Sequence, residues 1–128
     1  MGTSGVRPAL SHFRELRVWQ AGMDLVVAVY QITAAFPPDE KYGIMSQLRR
    51  AAVSVPSNIA EGHRRESTRE YLNHISMAQG SLAEVETQLE IAARLGYFPQ
   101  EQLLPRIEEI SALSKQLFAL RNSLARYV

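Results

Sequence analysis

An antiparallel up-down-up-down four-helix bundle is the all-α fold that this sequence predicts, and three observations carry the prediction. No run alternates apolar and polar residues with the period of two that a half-buried strand needs. Apolar residues recur instead in steps of three and four through most of the 128 residues, as they do along one face of a helix. The breaks between these periodic runs are short, which makes successive helices antiparallel neighbours.

Residues 1–11 read as a loose tail, and residues 12–128 as a single bundle domain. The first helix is expected from about Phe13 to Phe36, because Pro37 and Pro38 stop it. The second is expected from about Asp39 to Gly62, with a seam of Met45, Leu48, Ala52, Val55 and Ile59. Ser67 is a good N-cap for the third helix, Glu70 offers a capping box, and Gly96 is a C-terminal stop. Between them Tyr71, Ile75, Ala78, Leu82, Val85, Leu89 and Ala92 alternate steps of four and three, the pattern of a bundle seam. The fourth helix is expected from near Pro99 to about Tyr127, on Leu103, Ile107, Ile110, Leu117, Leu120 and Leu124.

Two features exceed what a lone bundle needs. The first helix carries two roughly opposite apolar stripes. One is Leu16, Trp19, Met23, Val26, Tyr30 and Thr33; the other is Val18, Gly22, Leu25, Val29, Ile32 and Phe36. A helix apolar nearly all round is buried nearly all round; an unusually wide core is the plain reading, and a subunit interface, with Leu25, Val29 and Ile32 on one stripe, is the expected one. In the third helix Leu72, Ser76, Gly80, Ala83 and Thr87 run off the seam. Small residues there let another helix approach, although Gly80 costs about 1 kcal/mol of helix propensity relative to alanine.

Pro56 stands inside the second helix, where a proline costs roughly 3 kcal/mol and cannot donate to the carbonyl of Ala52. The seam keeps step through it, so the expectation is one kinked helix, not two. Ser54 or Ser57 can bond near the disrupted turn. Asn58 lies at the border of the core and, with Glu61, is expected to bond across the kink or across a subunit seam.

Composition narrows the function. Apolar residues make up 46% of the chain, enough for a core. There is no cysteine, which excludes disulfides, zinc–thiolate sites and a thiol nucleophile, and suits a reducing cytoplasm. Fourteen Lys and Arg stand against thirteen Asp and Glu, a net charge of +1, so any nucleic-acid case must rest on local clustering. The start lacks a secretory apolar run, and no apolar stretch reaches membrane-spanning length, so no membrane partner is expected.

The strings EKYGIMSQLRRAAVSVPSNIAEG and SLAEVETQLEIAARLGYF resemble the four-helix-bundle family named for the open reading frame within 23S ribosomal RNA intervening sequences. The resemblance spans about Phe13 to Phe98; the fourth helix matches in general character. It implies four-helix protomers assembled as homopentameric rings, with no established activity. A related branch, the accessory proteins of diversity-generating retroelements, is basic, binds nucleic acid and partners a reverse transcriptase. The near-neutral charge of this chain departs from that branch.

Arg49, Arg50, Arg64, Arg65 and Arg69 are the candidate phosphate contacts, with a solvated helix end as the plain alternative. His63 and His74 give little for a metal: Glu70 is followed at the Glu-x-x-His spacing by Asn73. No nucleophile elbow or glycine-rich phosphate loop is present. The expected protein is therefore a non-enzymatic oligomeric scaffold, without cofactor or small-molecule substrate. The alternative is a weak, sequence-nonspecific nucleic-acid-binding ring acting with an RNA- or DNA-processing partner.

Overall fold

A computed structural model of the chain describes residues 12–128. The tail expected at residues 1–11 lies outside them. The described residues form four α-helices: α1 (Arg17–Thr33), α2 (Ile44–His63), α3 (Thr68–Arg94) and α4 (Leu103–Ala125). Short 3₁₀ turns precede α1, α2 and α4 at Phe13–Glu15, Pro38–Glu40 and Gln100–Gln102. The α2–α3 contact is the most extensive, α1 packs on α2, α4 packs on α3, and a thinner α1–α4 contact closes the antiparallel bundle.

The ends of α3 fall close to expectation, because local chemistry sets them. Ser67 Oγ accepts the Glu70 N–H at 3.3 Å. Gly96 adopts φ +79°, and the Tyr97 and Gly96 N–H groups bond to the Ala92 and Ala93 carbonyls at 2.9 and 3.0 Å. That is the paired bonding of a Schellman stop. The other helices begin later than their periodicity suggests. Leu16 is extended and divides Phe13–Glu15 from α1. Before α2, Gly43 takes φ −107° and ψ −122°, and the Glu40 carboxylate caps the helix by accepting the Ile44 N–H at 3.2 Å. A Cβ at Gly43 would lie 2.5 Å from Glu40 Oε1, so a side chain there would push the capping carboxylate aside. Pro105, in the first turn of α4, displaces no intrahelical bond.

The same Glu40 carboxylate accepts a 2.7 Å hydrogen bond from the Tyr97 hydroxyl, tying the α1–α2 connection to the α3–α4 connection. The Tyr97 bond, then the Ile44 bond, hold the Glu40 carboxyl below its ordinary value, while Glu40 pushes the Tyr97 phenol up.

All seven predicted seam residues of α3 are buried, as are Leu48, Ala52, Val55 and Ile59 of α2. In α1 the structure corrects the assignment of faces. Leu25 and Val29 are fully buried in the bundle's own core, with Val18 and Gly22 beside them, so they form no subunit interface. Ile32 is half-buried and packs against that core. The reason lies opposite them. A Cβ on Gly22 would lie 3.3 Å from Pro56 Cβ, so this face of α1 is the one that fits closely over the proline. The outward large apolar residues of α1 are Met23, Val27 and Tyr30.

Candidate functional site

Helix α2 runs unbroken through Pro56, whose ring is buried against Gly22. Two residues on, Asn58 is 7% exposed and binds in two directions. Its Nδ2 donates to the Ser54 carbonyl and to Ser54 Oγ, both at 2.9 Å. Its Oδ1 lies 3.0 Å from His74 Nδ1 on α3. A carbonyl can only accept, so the amide must point its NH₂ at Ser54 and its oxygen at His74. His74 therefore carries its proton on Nδ1. Ser81 Oγ donates to Ser54 Oγ at 2.8 Å and extends the ladder along α3. Glu61 Oε1 stands 3.8 Å from His74 Nδ1 on the wet side, near enough for charge and too far for a hydrogen bond. Gly62 completes the segment: a Cβ there would meet His74 Cβ at 2.8 Å and Tyr71 Cδ1 at 2.9 Å. Asn58 and Glu61 thus meet at His74, across α2 and α3 within one chain, and not with each other.

The five candidate arginines do not converge. Arg49 Nε donates to Thr33 Oγ1 at 2.8 Å, and its guanidinium lies 4.4 Å over the Tyr30 ring, clamping the start of α2 to the end of α1. Arg50 reaches back to Ser46 Oγ at 3.4 Å. Arg64 caps the other end of α2, fifteen residues from Arg49, or about 22 Å along the axis. Arg65 follows it and Arg69 stands in the first turn of α3. The expected patch is therefore two separate ends, with Arg64, Arg65 and Arg69 at one of them.

That end gains residues which the sequence reading left out. The Phe13–Glu15 turn folds beside Arg64. The Phe13 ring packs 5.4 Å from Trp19 and 6.5 Å from His63, with the guanidiniums of Arg14 and Arg64 each 5.3 Å from its centroid. His12 Nε2 lies 3.2 Å from an Arg64 nitrogen and 3.3 Å from one of Arg14. A cleft of about 420 Å³ opens alongside, lined by Phe13, Ala60, Glu61, Arg64 and Arg65. The only signal for this in the sequence was the Phe13–Arg14 pair at the expected start of the first helix, and nothing local says that it meets a residue fifty positions on.

Elsewhere the chemistry is sparse. Burial pushes the Glu109 carboxyl on α4 up and Asp24 adds to this, against the pull of Arg106 at 2.9 Å. That is a side-chain ion pair on one helix face. Among the described residues no three His, Asp or Glu side chains group as metal ligands, and no helix is long and apolar enough to cross a membrane.

The sequence profile of 23S rRNA-intervening sequence proteins matches residues 14–119, which takes in α1, α2, α3 and most of α4. The chain belongs to the 23S rRNA-intervening sequence protein family. The match reaches beyond Phe98, where the quoted motifs end, into α4. The chain is also similar to a crystal structure, at 1.70 Å resolution, of a protein of unknown function from the S23 ribosomal protein family of Bacteroides thetaiotaomicron VPI-5482. The two share 21% identity with a TM-score of 0.75, over 82% of this chain and 95% of that one. At that identity the likeness shows the fold. Among curated proteins the comparison found no match. Family membership leaves activity open, since a fold does not carry a function with it.

Proposed function

We propose that this family member is a non-enzymatic scaffold subunit that works as a homo-oligomer, a pentamer, in the cytoplasm. The observation that supports assembly is the outer stripe of α1. Met23, Val27 and Tyr30 follow one another at helical spacing and are 40%, 55% and 43% exposed. A contiguous apolar stripe of this kind marks a protein contact. A shallow groove lined by Ile44, Gly80, Ala83, Thr87 and Ile91 offers a second contact face, with open space above Gly80. The number five rests on the family resemblance. Size exclusion with light scattering tests the reading: an oligomer is expected, and a mass near 14.4 kDa at micromolar concentration overturns it.

A second reading is a nucleic-acid-binding ring, favoured by the gathering of Arg64, Arg65 and Arg69 at one end of the bundle. Binding would rest on phosphates, show little sequence preference and fall steeply with salt. Fluorescence anisotropy with a labelled single strand at low and physiological salt reads it directly. No binding at low salt leaves the scaffold reading alone.

A further inference from the structure

Two guanidiniums aim at one atom. Arg14 and Arg64 each place a nitrogen within 3.3 Å of His12 Nε2. Guanidinium nitrogens only donate, so the point they share calls for an acceptor. His12 fills it poorly. Its other ring nitrogen, Nδ1, faces the Arg14 backbone N–H at 3.3 Å, a second donor. A neutral imidazole accepts at one nitrogen and carries a hydrogen on the other, so one of the two sides always sets hydrogen against hydrogen. A protonated ring would accept at neither. Among the described residues neither guanidinium pairs with a carboxylate, and both rest on the Phe13 ring. The ring orients the two planes without satisfying their N–H groups.

We propose that Arg14 and Arg64 form a phosphate-binding site in which His12 Nε2 is a placeholder that an oxyanion displaces. A phosphate oxygen accepts from both guanidiniums at once and carries the charge that the imidazole lacks. The adjoining cleft gives the rest of the ligand room, with Arg65 on its wall. Glu61 lines the same cleft but stands 3.8 Å from His74, on the α3 side. The ligand class is a phosphate group, from a small phosphorylated compound or from a nucleic-acid backbone. The site depends on the second reading above only for the nucleic-acid source.

The test is a titration of the full chain with inorganic pyrophosphate at low salt, followed by the ring-proton signals of its histidines. The His12 signals should move while those of His74, held by Asn58, stay. Arg14→Gln and Arg64→Gln should each weaken binding about tenfold or more, the loss of one charge-assisted contact. His12→Ala should bind at least as tightly as wild type, because it removes a competitor. Far-UV circular dichroism checks that each variant is folded; all three positions are exposed. His12 signals that stay fixed through millimolar pyrophosphate overturn the site. So does an Arg64→Gln variant that binds like wild type, or loss of binding in His12→Ala, which would make the imidazole a ligand. A parallel titration with a single-stranded oligonucleotide separates the sources. If pyrophosphate binds there and the oligonucleotide does not, the site stands for small phosphates and the nucleic-acid reading falls.

Discussion

Asn58 shows how much one side chain can be asked to do. A buried amide needs partners for both ends, and here one end bonds back to Ser54 a turn earlier while the other crosses to the next helix. Asn58→Ala leaves the His74 N–H without that acceptor and should cost about 1–3 kcal/mol. His74→Ala should be largely redundant with it, giving a coupling of about 0.5–3 kcal/mol in a double-mutant cycle. Urea unfolding of the four proteins measures this, with midpoints shifting at constant slope. Full additivity would mean that the 3.0 Å contact carries no energy. The sequence singled out Asn58 and Glu61 because an amide and a carboxylate stood close to an apolar seam. It could not name His74, since the register between two helices is decided by packing along their whole length. Gly62 marked only the expected end of the second helix; its use is steric, and only the position of Tyr71 and His74 against it reveals that.

For the helices, legibility followed locality. The ends of α3 are set by Ser67 and Gly96, residues that act within a turn of themselves, and the sequence placed them well. The start of α2 is set by Glu40 acting through space, with Gly43 making room, and periodicity alone placed it too early. The two faces of α1 looked equally apolar. The approach of Gly22 to Pro56 chose between them, and that is a fact about two helices. Glu40 also gives a pH signature. Its carboxyl is lowered from 4.5, chiefly by Tyr97, so the stabilisation is complete above the ordinary value and is lost as pH falls through the lowered one. Tyr97→Phe removes the hydroxyl and keeps the ring near Phe36, 5.3 Å away in the native protein. The melting temperature of wild type should exceed that of this variant at neutral pH, and the gap should narrow as pH drops below about 4.5. A gap that is constant with pH would show that Tyr97 acts by packing alone.

At the scale of the molecule, the four-helix architecture was readable because 3.6-residue periodicity and short links constrain topology strongly. Which apolar face of α1 points outward was not. Two candidate stripes were in view, and the one with Leu25 and Val29 went into the core. If Met23, Val27 and Tyr30 are the contact, Val27→Glu should reduce the mass seen by light scattering while leaving helicity unchanged. A variant that keeps the wild-type mass would move the contact elsewhere. The unequal packing of the four helices has a consequence for this. The α2–α3 hairpin, most extensively packed and laced by the Asn58 ladder, is a spine, and α1 and α4 are leaves held less firmly to each other. Partial opening therefore begins with a leaf, and native-state hydrogen exchange would be fastest there. The outward apolar stripe sits on just such a leaf. In the proposed assembly, a neighbour that covers α1 would pin down the part of the bundle readiest to lift, so folding and association would draw on one equilibrium, and dilution would loosen the fold itself.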